Sequence, residues 1–167
     1  MSVRVTRVQI ALTSVDILVV GSAPSALGDA ISDFERRLSK HVKVNVRELK
    51  GERLDRGAEQ VRAAEGARIS DALAGIARST SVQPFVVACD INGTTMSSER
   101  LADRLLTQSR LVVIVGGACG LAPELLDRAD LRLSFGPMTL PHGMARLVLT
   151  EQLYRAHKIA HGEPYHH

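Results

Sequence analysis

Three short segments place glycine, proline and polar side chains directly after apolar runs, where they could form a binding site. They are residues 89–93 (CDING), 116–121 (GGACGL) and 135–140 (FGPMTL). If the apolar runs are strands of an open parallel sheet, the segments lie at the carboxyl ends of those strands, where such sheets bind ligands. For the glycines of the second segment taken alone, a tight turn into the next helix is the preferred interpretation.

The third segment is the most informative because its backbone is restricted. Pro137 and Pro141 cannot donate a backbone hydrogen bond, and each pushes the residue before it, Gly136 or Leu140, toward an extended conformation. The sequence therefore predicts a stiff, non-helical segment whose carbonyl and amide groups suit the edge of a purine ring. Pro141 also fits the first turn of the helix that is predicted to follow.

A helix predicted at residues 142–160 carries further polar candidates. His142 stands at its first position, where it is either an ordinary helix-start residue or a functional group. Glu151 and Arg155 have the i, i+4 spacing of a surface ion pair worth about 0.3 kcal/mol. The apolar residues of this helix cover a wide surface, which predicts burial against the core and against a partner subunit. Beyond the helix, Tyr165 offers a ring for stacking.

Several common kinds of site are absent from the sequence. It contains no phosphate-binding G-x-x-x-x-G-K-[ST] motif and no dinucleotide-binding G-x-G-x-x-G motif. Cys89 and Cys119 have no zinc-ligand spacing to one another or to histidine, so we expect two reduced thiols and no bound metal.

Apolar periodicity predicts the elements that position these segments. We expect strands at residues 15–20, 42–49, 84–89, 111–115 and 131–134, and helices at 25–39, 69–78, 97–108, 123–129 and 142–160. Interleaved charges at residues 51–68 predict a solvated helix or loop, and residues 90–95 (DINGTT) a turn. Strands that alternate with helices predict an α/β domain with a mostly parallel sheet.

Composition limits the class of protein. The 167 residues are 45% hydrophobic with a mean hydropathy of +0.04, which is typical of a single globular domain. We expect residues 15–167 to form that domain and residues 1–14 to form an N-terminal extension, either an added edge strand or a disordered leader. No apolar run approaches the roughly 18 residues of a membrane span, and no signal peptide is evident, so a cytoplasmic protein is expected.

The segments VVIVGGACGL, LSFGPMTLPHGMARLVLTEQLYRAHKI and the closing PYH resemble the RlmH-type ribosomal RNA methyltransferases of the SPOUT superfamily. Members of this family contain, in order, an apolar strand, GG-x-x-G, a serine-bearing strand, TLPH, an arginine, EQLYRA and PYH. The order, spacing and identity of the motifs match over residues 85–166. FERRL near the N-terminus matches more weakly, so the resemblance covers nearly everything beyond residue 14.

The resemblance implies a SPOUT fold, with helices on both faces of the sheet and a C-terminal trefoil knot. It also implies a homodimer that uses S-adenosylmethionine to methylate N3 of a pseudouridine in the large-subunit (23S) rRNA of the assembled ribosome. A net charge of +3 provides few cations to hold naked RNA, so we expect the enzyme to need the shaped ribosomal surface.

By position, the resemblance also implies the roles of individual residues. The cofactor would contact Cys89, Gly116, Phe135, Gly136, Pro137, Met138, Thr139 and Leu140. The catalytic residues near the target base would be His142, Tyr154, Arg155 and His166, with Tyr165 as a substrate-stacking residue. Arg155 would stabilise a deprotonated pyrimidine or bind phosphate, and His142 or His166 would accept a proton.

The sequence departs from the family pattern in places, and other functions stay open. Cys89 stands where the family often has leucine, and the chain stops at His167 where a basic residue commonly follows PYH. One alternative is a SPOUT methyltransferase for another RNA position, such as a tRNA ribose. The other is a ribosome-binding assembly factor that keeps the fold without turnover.

Overall fold

The computed structural model describes residues 9–166. In this part of the chain, strands and helices alternate in the order β1 (Ser14–Val20), α1 (Ser25–Leu38), β2 (Lys43–Leu49), α2 (Ala58–Arg78), β3 (Phe85–Thr94), α3 (Ser98–Leu106), β4 (Arg110–Val115), α4 (Pro123–Arg128), β5 (Leu131–Leu133) and α5 (His142–Ala160). Short 3₁₀ helices occupy Leu54–Arg56 and Pro164–His166.

The five strands form one parallel sheet in the order β2-β1-β4-β3-β5. On one face, α1, α3 and α5 cover a core that includes Leu38, Leu105 and Leu149. On the other face, α2 and α4 cover a second core that includes Ile69 and Leu125. The predicted α/β class, the mostly parallel sheet and the helices on both faces are confirmed, whereas the trefoil knot stays a prediction.

The central strands are buried on both faces, which explains their continuous apolar runs. Every residue of β1 is buried, and so is all of β4 except its first residue. The edge strand β2 is half-exposed instead, as its alternating sequence predicts. Because the five strands are parallel, they all end at one carboxyl edge, which brings together the segments that follow them.

Two local predictions were wrong. A helix was one of the two alternatives for residues 51–68, but it is continuous with the helix predicted at 69–78, as Ala58–Arg78, and Glu65 within it is buried rather than solvated. Residues 90–94 continue β3 rather than leave it as a turn. Cys89 and Thr94 both pair with Leu133, with a bulge between them. Thr94 therefore stays in the sheet because it pairs with β5, a strand that lies much later in the sequence.

Most of the predicted N-terminal extension, residues 1–14, lies outside the described residues. In its described part, Leu12 is buried, and the amides of Ala11 and Thr13 donate to the carbonyls of Leu106 and Ser109. The division between an extension and a single domain of residues 15–167 stays a prediction. Between residues 9 and 166, no helix is both long enough and apolar enough to cross a bilayer.

Candidate functional site

A cavity of about 470 Å³ opens at the carboxyl edge of the sheet, beyond β3, β4 and β5. All three segments that the sequence singles out contribute to its walls. Its lining residues are Cys89, Asp90, Ile91, Val115, Gly116, Gly117, Ala118, Gly120, Leu121, Leu133, Phe135, Gly136, Met138, Thr139, Leu140, Pro141, His142 and Ala145. Of the predicted cofactor residues, only Pro137 is not among them.

The glycine segment forms one wall of the cavity. Its backbone is tightly packed against neighbouring residues. A Cβ atom at Gly116 would lie 3.0 Å from Leu121 Cδ2, and Gly120 has a φ of +76°, which favours glycine. A Cβ atom at Gly117 would lie 2.8 Å from Oε2 of the buried Glu65. A side chain would therefore be crowded at Gly116 and Gly117 and strained at Gly120.

Ser134 fixes the loop that forms the opposite wall. Its hydroxyl donates to the carbonyl of Ile91, at 3.0 Å, and accepts a hydrogen bond from the amide of Gly136, at 3.1 Å. Gly136 has a φ of +120°, a conformation that side-chain-bearing residues rarely adopt. The loop is thus held at its base, whereas Met138 is 78% exposed at its tip.

Cys89 contributes packing rather than acid–base chemistry to the cavity. Burial raises the pKa of its thiol to about 12, so the thiol is neutral at physiological pH. A neutral thiol is a poor nucleophile, and Cys89 therefore acts as a small apolar wall residue.

His142 lines the cavity from the first turn of α5 and is held by the loop that follows β1. Its Nε2 lies 3.0 Å from the carbonyl oxygen of Ser22. A carbonyl only accepts hydrogen bonds, so this contact requires the proton on Nε2, and in that tautomer Nδ1 is the available acceptor. A Cβ atom at Gly21 would lie 3.4 Å from this ring, so the glycine allows the close contact.

Arg146, one turn further along α5, was missed as a site residue by the sequence reasoning. It is buried and donates to Glu35, at 2.8 Å, and to Glu48, at 2.7 Å. Ser22 donates to the other oxygen of Glu48, so Arg146 and Ser22 share one carboxylate. The hydrogen bond from Arg146 lowers the pKa of Glu48. This network connects α5 to α1 and β2 and supports the backbone that holds His142.

Tyr154 and Arg155, two more of the predicted catalytic residues, lie far from the cavity of their own chain. Tyr154 and Arg155 are 12 and 13 positions beyond His142 on α5, a distance of about 18 Å along the helix axis. Arg155 donates to Glu151, at 2.7 Å, and its guanidinium lies 4.9 Å from the centre of the Tyr165 ring. Within one chain, His142 and this aromatic and cationic group are therefore far apart.

The 3₁₀ turn after α5 packs back onto that far end. The Tyr165 ring meets the Tyr154 ring edge-on, with centroids 5.0 Å apart, and its hydroxyl donates to Glu151, at 3.3 Å. The turn includes the backbone of His166, whose side chain lies outside the described part, as does all of His167. The predicted roles of Tyr165 and His166 stay predictions.

A histidine cluster borders the same end of α5. His157 is 2% exposed, and its ring stacks on that of His41 with centroids 5.4 Å apart. Among residues 9–166, neither of its ring nitrogens has a hydrogen-bond partner. Burial lowers its pKa to about 4, with a further contribution from His41. Among the residues described here, no three side chains of the metal-ligating types come together as a metal site.

Comparisons with known proteins agree with this geometry. The family model of predicted SPOUT methyltransferases matches residues 13–166. A ribosomal RNA large subunit methyltransferase H of Carboxydothermus hydrogenoformans is 42% identical over 163 residues, which cover 91% of this chain and 98% of that protein. The protein of that name from Bifidobacterium adolescentis is 37% identical over the same coverage.

A solved structure supports the fold alone. A probable methylase family protein from Haemophilus influenzae superposes with a TM-score of 0.55 at 15% identity, covering 90% of this chain and 69% of that chain. The family model, which spans nearly the whole described chain, and the two close relatives decide the family. The chain belongs to the SPOUT methyltransferase family.

Proposed function

We propose that this protein is an S-adenosylmethionine-dependent methyltransferase that modifies N3 of a pseudouridine in large-subunit rRNA, on assembled ribosomes in the cytoplasm. One observation carries the proposal: the cavity at the carboxyl edge is lined by seven of the eight residues predicted to contact the cofactor. Relatives that are 37% and 42% identical and bear the name of a large-subunit rRNA methyltransferase support rRNA as the substrate.

The cavity suits an adenosine-bearing cofactor. Its volume of about 470 Å³ lies within the range of small-molecule sites. Its walls are mainly apolar, with Val115, Leu121 and Leu140 available to contact a purine, and the glycine turn offers backbone amides and carbonyls. We assign the holding of the cofactor to the turn at Gly116 and to the loop at residues 135–140. S-adenosylmethionine, when bound there, supplies an activated methyl group.

His142 is the residue best placed to manage the proton of the target base. Because Nε2 donates to Ser22, the free Nδ1 can accept the N3 proton as the base loses it. The network through Glu48 and Arg146 keeps the Ser22 backbone in place, so the ring is held before substrate arrives. The chain thus orients the base and accepts its proton.

We further propose that the protein works as a homodimer and that the loop at residues 135–140 takes part in a trefoil knot. On α5, Met144 is 37% exposed, and Leu147 and Val148 are only half-buried. These residues form an apolar strip beside the cavity, which a second copy would cover.

A second copy would also bring together the predicted catalytic residues that lie far apart within one chain. A dimer in which the far end of the partner's α5 approaches the cavity would join the aromatic and cationic group at Tyr154, Arg155 and Tyr165 to His142 of the first subunit. In this arrangement the Arg155 guanidinium binds the substrate phosphate or the deprotonated base, and the Tyr165 ring stacks on RNA.

Mixed dimers test the arrangement. We expect His142→Ala and Arg155→Ala each to abolish methylation, and their co-expression to restore it, because one of the two sites in a mixed dimer would keep both residues. Random pairing would give about a quarter of wild-type activity. No recovery in mixed dimers, shown by two affinity tags to have formed, would mean that both residues act in one subunit.

The substrate is tested in cells. We expect rRNA from a strain that lacks the gene to lose methylpseudouridine, as measured by mass spectrometry, and the wild-type gene to restore it. An unchanged methylpseudouridine signal would contradict the proposed substrate and favour another RNA position, such as a tRNA ribose. Calorimetry that finds no binding at millimolar S-adenosylmethionine would instead favour a non-catalytic assembly factor.

A further inference from the structure

A second cleft, of about 610 Å³, lies at the amino end of the sheet and takes no part in the proposed reaction. It is bounded by β1, β2, β4 and the last turn of α2. Arg110, at the start of β4, is about 20 Å along the strand from Gly116 of the glycine turn, so the cleft is separate from the cofactor cavity. Its lining residues are Asp16, Lys43, Asn45, Val46, Arg47, Ile76, Ser79 and Arg110.

The cleft exists because α2 ends before the sheet does. Leu18 and Ile114 are fully buried on the face under α2, but this helix stops at Arg78. Towards the amino end of the same face, the register aligns Lys43 with Ser14 and Ser14 with Arg110. Faces of parallel sheets are normally covered and apolar, so an open polar area of this kind calls for an explanation.

The polar side chains follow the period of the strand. Lys43, Asn45 and Arg47 are spaced two residues apart on the edge strand β2 and therefore point to one face. Arg110 reaches the same face from β4. Three cations are thus gathered in a cleft whose lining includes a single carboxylate, that of Asp16.

Asp16 is the acidic residue of the cleft and lies between Asn45 and Arg110. Its Oδ1 accepts a hydrogen bond from Asn45, at 3.0 Å, and its Oδ2 lies 3.6 Å from Nη2 of Arg110. Within the described structure, Nε of Arg110 and Oδ2 of Asp16 are both buried without a hydrogen-bond partner. A buried donor of this kind normally has an acceptor, and an anionic oxygen would provide one.

The end of α2 does not offer a competing acceptor. The carbonyl of Ile76 already accepts hydrogen bonds from the amide and the hydroxyl of Ser79, at 3.0 and 2.7 Å. The cleft therefore offers a ligand the donors of Lys43, Arg47 and Arg110, against one unpaired acceptor, Oδ2 of Asp16.

We propose that this cleft binds a phosphate group and that the phosphodiester backbone of RNA is the source of that phosphate. The guanidinium groups of Arg47 and Arg110 can each present two parallel donors to a phosphate, and Lys43 adds a point charge. The site would hold the enzyme on RNA at a point remote from the target base. The RNA source rests on the proposed function, whereas the phosphate chemistry does not.

The first arm of the test uses inorganic pyrophosphate and the full-length protein. The variant Lys43→Gln/Arg47→Gln removes two exposed cations without leaving buried Asp16 unpaired, so it is expected to fold. The matched control, Arg104→Gln/Arg128→Gln, removes two exposed cations from α3 and α4. In the wild type and the control, pyrophosphate should shift the amide resonances of β2 in nuclear magnetic resonance spectra, and in the Lys43/Arg47 variant it should not.

The second arm measures binding to assembled ribosomes as a function of salt. The slope of log K against log salt is negative, and each lost phosphate contact reduces its magnitude by about 0.7 to 0.9. The slope of the Lys43/Arg47 variant should therefore be smaller in magnitude by about 1.4 to 1.8. The control should keep the wild-type slope. A shift with pyrophosphate and an unchanged slope would keep the phosphate site but reject RNA as its source.

The two arms together separate this proposal from the proposed function. A changed slope without a pyrophosphate shift would support recognition of the RNA backbone alone. If pyrophosphate causes no shift and the salt slope does not change, the proposal is overturned. That conclusion would hold even if methylation of pseudouridine were intact.

Discussion

Acid should destabilise this protein through one buried histidine, His157. Its ring is covered by His41 and by its own helix, with Lys158 and His161 adding positive charge nearby, and it has no hydrogen-bond partner in the described structure. Its pKa is about 4 in the folded protein against an ordinary value of 6.5. Between these pH values the unfolded chain binds a proton that the folded protein does not, so stability falls as the pH falls.

The size of the effect follows from the two pKa values. Between pH 7.5 and pH 5, the free energy of unfolding should fall by about 2 kcal/mol because of His157 alone, and by about 3 kcal/mol once the pH is below 4. His41, whose pKa burial also lowers, adds a loss of the same sign. Carboxylates with lowered pKa values, such as Glu48 and Glu163, lose their contributions only at more acidic pH.

The variant His157→Phe isolates this contribution. A phenyl ring keeps the contact with His41 and removes two buried nitrogens without partners, so we expect it to be at least as stable as the wild type at pH 7.5. Urea unfolding gives the fall in the free energy of unfolding between pH 7.5 and pH 5. This fall should be about 2 kcal/mol smaller in the variant than in the wild type. The control Leu153→Val, on the same buried face, should be destabilised equally at both pH values. Equal losses in wild type and His157→Phe would refute the reasoning.

Three further substitutions test the site. Gly117→Ala should weaken S-adenosylmethionine binding at least tenfold in calorimetry, because its Cβ would lie 2.8 Å from Glu65, whereas Gly28→Ala, with open space, should bind normally. Arg146→Gln should lower the free energy of unfolding by about 3 kcal/mol in urea, since it leaves two carboxylates without their shared cation; wild-type stability would contradict the network. Ser134→Ala should cost about 1 kcal/mol by thermal unfolding and raise the cofactor Kd severalfold; an unchanged Kd would mean that its hydrogen bonds do not shape the wall.

Local sequence signals were sufficient to predict most elements. The helix at residues 142–160 was predicted with its observed bounds, and the strand predicted at 111–115 begins one residue earlier, at Arg110. Apolar runs and the proline at the helix start are short-range signals, so a single sequence is enough to find them. The convergence of three segments on one cavity follows from a general property of parallel sheets.

Contacts between distant residues could not be predicted in the same way. The bulge that brings Thr94 back beside Leu133 depends on strand β5, and Arg146 pairs with Glu35 and Glu48, which precede it by 111 and 98 residues. The arginine in the middle of an apolar helix was nevertheless a usable signal, because a cation on a buried face needs acidic partners. The spacing of His142 and Arg155 also implied their separation along the helix.

The central claim is that this chain transfers a methyl group to N3 of a pseudouridine on assembled ribosomes. The most direct measurement incubates the purified protein and labelled S-adenosylmethionine with ribosomes from cells that lack the gene, and locates the label by mass spectrometry. We predict one methyl group on a pseudouridine of the large-subunit rRNA, with much less transfer to protein-free rRNA. Absence of transfer, or label on a different kind of nucleotide, would contradict the account.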